Sequence, residues 1–461
     1  MRLNSFLLPF VKCLVVCILI ATPLTAQSKK DKDQAAKFQA AGDQAYNKKD
    51  YKGAADSYAE SAKLVPNNNY VHYRKGFAHF NLKEYDQAVS EFSLALSQGF
   101  KPVEIYRIRY FIYFEQRNYD AALADIQKGL QIAPTDVNFL TAVGEIYFAR
   151  QSFAEALAAY QKASQAAPTN ADIYYNIARV YFATGKVKEQ QAAAEKALSM
   201  GTRFPGESHY LLGDAMQKQR NAKGAIEEYQ KAINSKPDQL QAYRNLAEAY
   251  RSENQYADAI RVSKQGLIQF VNDGNLYTDL SWFYSLAERP DDAIQAAKAG
   301  ISQLPNQSFA YTNLCRAYND LKNFNQAIIA CNDALRLNPG DGETYFYLGR
   351  AYNLANKNDE ATKNYRLAVK GLEDYTSKNP SFSDGWYLLG NAYFADNQRD
   401  RAMIAYQKCL EQSPKFSKAR YNLGIVYTRM KNKAGANEQY AALIPLDPKL
   451  AGLLKAEIDK M

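Results

Sequence analysis

Residues 383–416 read SDGWYLLGNAYFADNQRDRAMIAYQKCLEQSPKF. In this 34-residue stretch Trp386, Leu389, Gly390 and Tyr393 stand at places 4, 7, 8 and 11, and Ala402, Tyr406, Cys409 and Pro414 at places 20, 24, 27 and 32. Large residues three and four apart share one helix face, so the first set defines one amphipathic helix and the second set another. Small residues at places 8, 20 and 27 let the two backbones approach, and the aromatics at 11 and 24 fill the space between them. Proline at 32 has no N–H to give and ends the second helix.

The same pattern runs through almost the whole chain. Place 8 recurs as Gly42, Gly76, Tyr110, Gly144, Ala178, Gly213, Ala247, Ser281, Cys315, Gly349, Gly390 and Gly424, which makes twelve repeats. All intervals are 34 except 178 to 213, which is 35, and 349 to 390, which is 41. Place 20 is alanine in eleven repeats and fails only at Gln190. These residues resemble the tetratricopeptide repeat (TPR), whose usage is Trp, Leu, Gly, Tyr, Ala, Phe, Ala and Pro at these places. The resemblance implies an all-α fold, a right-handed TPR solenoid of about twelve helix-turn-helix units plus a C-terminal capping helix. A solenoid stacks each unit on its neighbours, so 461 residues need not mean several globular domains.

Residues 1–26 are of another kind. Arg2 and Lys12 precede the apolar run 13–21, and Pro23, Leu24, Thr25 and Ala26 lead into polar Gln27. This reads as a secretory signal peptide of bacterial type, cut after Ala26. A retained anchor is the alternative, but Pro9 and Lys12 interrupt the run and leave it short of a span. The expectation is therefore a protein exported to the periplasm or cell envelope, or secreted, with no stable membrane span after cleavage. Cleavage would lower the net charge from +9 to +7. Spread along the chain, that is no concentrated basic stripe, and no nucleic-acid partner is expected.

Residues 27–34 read as a charged, disordered leader. Repeats 1–5 occupy 35–204, repeats 6–10 occupy 206–382, repeats 11 and 12 occupy 383–450, and 451–461 form the capping helix, with Leu450, Leu453, Leu454 and Ile458 on its core face. Repeat 3 carries Tyr110 where glycine is usual, which should spread its helices or redirect a neighbour. Repeat 5 departs most, with Gln190, Ala194 and Thr202 at places 20, 24 and 32, and residues 200–206 read as a soft joint. The second helix of repeat 10 is overlong and absorbs the seven extra residues.

No catalytic spacing emerges, so the protein is not read as an enzyme and no cofactor is implied. His72 and His79 lie seven apart on one helix without the further ligands a metal needs. Cys315 and Cys331 sit at places 8 and 24 of repeat 9, on facing helices. They are candidates for a disulfide, with two buried thiols as the alternative.

The informative residues are those the repeat does not require. Places 2, 5, 9 and 12 of each first helix form a stripe that lines the concave groove in TPR arrays. Repeats 9–11 put Thr312, Arg316 and Asn319, then Phe346, Arg350 and Asn353, then Tyr387, Asn391 and Phe394 there, and repeat 12 adds Lys418 and Tyr421. With Asn313 these make the candidate ligand groove, where arginines would meet a carboxylate and rings an apolar group. The aromatic run Tyr73, Phe77, Phe80, Phe111 and Phe114 is the second candidate. Place 6 is asparagine at 176, 245, 313 and 422, similar to ladders by which some TPR arrays hold a peptide backbone, though Leu211, Asp279, Tyr347 and Leu388 break it. The expected function is a non-catalytic scaffold holding a protein or peptide partner, with a glycan-binding or polysaccharide-export scaffold as the alternative.

Overall fold

The computed structural model describes residues 28–461, and the signal sequence read in 1–26 lies outside the described residues. Among the described residues the chain forms twenty-five α-helices and no strand, from α1 (Lys29–Asn47) to α25 (Pro448–Ile458), numbered in chain order. They pair as twelve helix-turn-helix repeats, closed by α25. No helix of the described residues is long and apolar enough to cross a membrane. The chain separates into two compact bodies, one up to Ala166 and one from Ala167 to Met461.

Three local devices build each repeat. The turn between its helices passes through one left-handed residue at place 15, from Lys49 (φ 64°) to Lys431 (φ 58°), with Gly185 the one glycine in the series. Its N–H returns to the helix it leaves, as Lys49 N–H does to the Tyr46 carbonyl at 2.9 Å, which satisfies an otherwise orphaned acceptor. Place 16 then caps the second helix through Asp50, Asn118, Asn221, Asn323 and Asn432. The third device explains the glycine at place 8: a Cβ built on Gly42 would lie 2.6 Å from the Tyr58 ring and one on Gly390 2.5 Å from Tyr406. Place 24 packs on place 8, so a ring at 24 leaves no room for a Cβ at 8, and where place 8 carries one, as in Ala178, Ala247 and Ser281, place 24 is small: Ala194, Ser263 and Ala297.

That contact accounts for two irregular repeats. In repeat 9 both partners are cysteines, and Cys315 and Cys331 are joined across the gap with Cα atoms 5.2 Å apart. In repeat 3 the bulk of Tyr110 lies against Phe139, ring centroids 5.7 Å apart, and Gly129 at place 27 gives way, since a Cβ there would strike the Phe139 ring. The volume has moved one helix along.

Place 4 also has a physical role. Its polar tip bonds the carbonyl of the proline that closes the preceding repeat: His72 Nε2 to Pro66 at 2.9 Å, Tyr174 Oη to Pro168 at 3.0 Å, Trp386 Nε1 to Pro380 at 2.8 Å and Arg420 Nη2 to Pro414 at 2.8 Å. A large residue with a polar end can fill the core and satisfy that carbonyl together.

Three sequence expectations need correction. The leader is helical from Lys29, because Ser28 caps α1 by accepting from the Asp31 N–H at 3.0 Å. Residues 200–206, expected to be a soft joint, are tied down. Asp172 of α9 (Ala171–Thr184) accepts from Thr202 Oγ1 at 2.8 Å and the Arg203 N–H at 2.9 Å, and it also pairs with the Arg203 side chain. Gln190, the one exception at place 20, donates to the Leu211 carbonyl at 2.7 Å and to Asp214 at 2.9 Å. Both odd residues replace packing with hydrogen bonds, Gln190 to the next repeat and Thr202 back to the first helix of its own, and the chain divides earlier, after Ala166. In α25, Leu454 and Ile458 are buried with Ala451, whereas Leu453 is 49% exposed, because the helix presents a narrower face than its leucines suggested.

Candidate ligand-binding bore

Within the second body the helices wind until distant repeats touch. Arg251, at the end of α13 (Leu240–Ser252), reaches Asp384 at the start of α21 (Ser383–Ala395) at 3.2 Å while also holding Glu248 at 2.5 Å. Both side chains of the long-range pair are only 12% exposed, and the Arg251 guanidinium lies 4.8 Å over the Trp282 ring. Further out, Lys415 pairs with Glu253 at 3.1 Å, Arg220 donates to Gln412 at 2.6 Å, and Lys449 approaches Glu288 at 3.4 Å. These contacts join residues 133 to 192 positions apart. They close the first helices of repeats 7–12 around a cavity of about 1280 Å3.

Its wall comes from α15 (Gly274–Leu286), α17 (Ser308–Asp320), α19 (Gly342–Leu354), α20 (Asn358–Lys378), α21 and α23 (Ser417–Arg429). Of the groove residues expected from sequence, Asn313, Arg316, Phe346, Arg350, Tyr387, Asn391 and Phe394 all line it, as does Lys418. Asn319, Asn353 and Tyr421 do not, and Tyr421 packs instead against the cluster of Leu443, Ala451 and Leu454. Asn319 is buried and donates to the Tyr347 carbonyl at 3.0 Å, and Asn353 is exposed on the outside. Place 12 lies at the edge of the stripe, where a ring such as Phe394 still reaches the cavity and a short amide does not. Thr312 is likewise turned into the repeat interface, bonded to Thr344 Oγ1 at 2.6 Å.

The asparagines at place 6 are engaged with their own neighbours. Asn313 donates to the Thr278 carbonyl at 3.0 Å and Asn422 to Asn391 Oδ1 at 2.7 Å, while Asn245 reaches the hydroxyls of Tyr210 and Tyr229 at 3.4 and 3.3 Å. They are cross-repeat ties. The second candidate, the aromatic run in the first body, is a packed ladder: Tyr73 meets Phe77 edge-on at 4.9 Å and Phe77 meets Phe92 at 5.3 Å. His72 is satisfied by Glu91 at 2.6 Å and His79 by Glu84 at 2.6 Å, and among the described residues no acidic, histidine or cysteine cluster could hold a metal ion.

Sequence reasoning missed Glu343 and Asp384. Both are at place 2, which the stripe itself includes, so the signal was present. Charges at the cavity wall are mostly paired: Arg244 with Asp279 at 2.6 Å, Arg350 with Asp320 at 3.0 Å, Lys378 with Asp374 at 2.7 Å. Arg316, Lys418, Glu343 and Asp341 are the exceptions. None has an ion-pair partner within 4.0 Å, and Arg316 rests 5.6 Å over the Tyr347 ring. Burial, with Asp341 and Asp384 nearby, pushes the Glu343 carboxyl up to about 7 against the opposing pull of Arg316. Burial, aided by Arg316, pushes the Lys418 ammonium down. Burial also works against the Arg316 charge, but Tyr347, Glu343 and Asp320 hold its pKa above the usual value.

The family models agree with the repeat pattern. Tetratricopeptide-repeat family models match residues 40–101, 144–185, 171–200, 210–264, 310–341 and 383–416, and the chain belongs to the tetratricopeptide-repeat family. It is similar to the Small glutamine-rich tetratricopeptide repeat-containing protein 2 of Saccharomyces cerevisiae, with 41% identity over 56 residues, or 12% of this chain and 16% of that one. Among solved structures it is similar to the APC/C hetero-tetramer Cut9-Hcn1 at 13% identity and a TM-score of 0.43, covering 92% of this chain and 96% of that one. It is also similar to yeast Tom70, at 14% identity and a TM-score of 0.39 over 94% and 97% of the two chains. A third is YrrB, described as a TPR protein with an unusual peptide-binding site, at 21% identity and a TM-score of 0.36 over 40% and 95%.

Proposed function

We infer that the protein is a non-catalytic scaffold that holds an extended polypeptide segment in the bore of its second body. The observation that carries this reading is the cavity itself. About 1280 Å3 exceeds the roughly 300–1,000 Å3 of sites for single small molecules, and its rings and charged groups are spread over several helices, as a chain rather than a compact ligand requires. Membership of a repeat family supports binding in general, and the choice of the bore rests on the wall described above. Panning a random displayed-peptide library against the protein and against Tyr387→Ala tests it. Enrichment that is lost in Tyr387→Ala supports the bore, and equal enrichment on both proteins excludes it.

Residues 1–26 support export to the cell envelope as part of the same proposal. N-terminal sequencing of the protein isolated from its own cells should begin at Gln27; a chain that still carries residues 1–26 would mean a retained leader.

A further inference from the structure

We propose that the bore selects a segment bearing a carboxylate, held between Arg316 and Lys418, with Glu343 as a resident counter-charge that sets how strongly that carboxylate binds at different pH. The inference rests on the reading of the bore as a peptide site and adds the chemistry of the occupant.

The argument begins from the pairing pattern. Around the wall Arg244, Arg350 and Lys378 each have a carboxylate at hydrogen-bonding distance, and a cation so paired has little left to offer an incoming anion. Arg316 and Lys418 have none, although both are partly buried and face the same cavity from α17 and α23. Two cations brought near each other out of bulk water without counter-ions cost folding free energy, and a visiting carboxylate removes that cost by giving each a charge-assisted hydrogen bond. The rings of Phe346, Tyr387 and Phe416 adjoin these groups and would cover the apolar part of the segment.

Glu343 makes the site conditional. The groups acting on it are Asp341 in the turn before α19, Arg316 of α17, Tyr347 of α19, Tyr375 of α20 and Asp384 of α21, with Lys418 and Arg350 across the cavity. The two neighbouring carboxylates and burial favour its neutral form, and Arg316 favours the charged form. Above about pH 7 Glu343 is ionised and partly neutralises Arg316; below it Glu343 is neutral and the two cations act on the ligand alone. A peptide carboxylate stays ionised well below that range, and acidification can only increase the charge on Lys418, so both effects run the same way. Binding of the carboxylate should tighten as pH falls from 8 to 6.

The test uses the whole protein and acetylated alanine-phenylalanine tetrapeptides of three kinds: a free C-terminal carboxylate, a C-terminal amide, and an amide with one internal aspartate. At pH 6 the two carboxylate peptides should bind about tenfold or more tighter than the neutral one, with the stronger of the two showing whether a terminus or a side chain fits. The preference should shrink at pH 8, lose most of its pH dependence in Glu343→Gln, with only the part due to Lys418 left, fall to about unity in Lys418→Met and in Arg316→Gln, and persist in Arg350→Ala. If all three peptides bind equally and Tyr387→Ala abolishes binding, the bore is a peptide site and the carboxylate proposal is overturned. If binding is the same in wild type and Tyr387→Ala, the bore reading itself falls, and this inference with it.

Discussion

The same stripe of the repeat has two fates in the two bodies. In α3 (Asn69–Asn81) and α5 (Val103–Glu115) places 5, 9 and 12 hold Tyr73, Phe77, Phe80, Arg107, Phe111 and Phe114; Tyr73 meets Phe77 and Phe80 meets Phe111 edge to face, Phe114 leans on Tyr119, and Arg107 pairs with Asp136. In α17 and α19 the same register holds Arg316, Phe346 and Arg350, which face a cavity. Helix geometry is common to both, so it does not decide the difference. What differs is the opposite wall: in the second body α13 and α21 come within one ion pair of each other, and side chains that would face open solvent are enclosed. Enclosure lowers the local dielectric, which makes each unpaired charge more costly and each complementary ligand group more valuable.

The strongest way to break the comparison is to remove the closure. Arg251→Ala leaves Asp384 and Glu248 without their partner beside the Trp282 ring, and the loss of one member of a buried pair typically costs about 3–5 kcal/mol. The chain has only two tryptophans, Trp282 and Trp386, both in the second body, so the fluorescence-detected urea transition reports that body selectively. Arg107→Ala in the first body removes a partner that is 36% exposed and should cost about 1 kcal/mol or less, read from helical circular dichroism. Equal costs would mean that the bore is not enclosed as described.

Next in size is the bridge of repeat 9. A link closing a loop of about 15 residues contributes roughly 3 kcal/mol, an amount that depends on the model for the unfolded chain. Reduction should therefore lower the tryptophan-detected midpoint and leave the first body unchanged. Among the described residues the denatured, unreduced protein should show one thiol, the buried Cys409. Three would mean that Cys315 and Cys331 are unlinked and pack as small apolar side chains.

A third, smaller effect separates the tied segment from a soft one. Asp172→Ala removes the acceptor shared by Thr202 and Arg203 and should cost about 1–2 kcal/mol. Limited proteolysis should then cut within residues 200–206 in the variant and spare them in the wild type. Early cleavage there in the wild type would restore the joint that Gln190 and Thr202 suggested.

How much of this was legible follows from the range of the interactions. The repeat was readable because its determinants lie within 34 residues: Gly390 needs Tyr406, and Trp386 needs the Pro380 carbonyl. Arg316 and Phe346 were placed on the groove by helix period alone. Glu343 stands on the same stripe at place 2, as Lys418 does, and helix period alone places it there. The closure was not legible at all. Whether Arg251 meets Asp384 depends on small rotations summed over four repeats and on the overlong α20, and no local pattern encodes that sum.

The smallest expected effect belongs to the first body and sharpens the contrast from the other side, since its buried charges are paired. His72 bonds Glu91 at 2.6 Å and the Pro66 carbonyl at 2.9 Å, with both ionisable side chains nearly buried. The bond to Glu91 raises the His72 pKa above its usual 6.5 despite burial, which pulls it down. Burial opposes the Glu91 charge as well, but His72 and Lys75 hold that carboxyl below its usual range. A histidine whose folded pKa is raised contributes stability fully below about 6.5, and the contribution disappears as pH rises through the folded value. The carboxylate acts in the opposite sense, contributing above its unfolded pKa and losing that contribution as pH falls through the lowered folded one. The pair is thus most stabilising between the two, in mildly acidic solution, whereas Glu343 in the second body is least comfortable once the solution passes about pH 7. An NMR titration of the His72 ring proton should give a pKa above 6.5; a value at or below it would show that burial outweighs Glu91 and that the first body, too, carries an unbalanced charge.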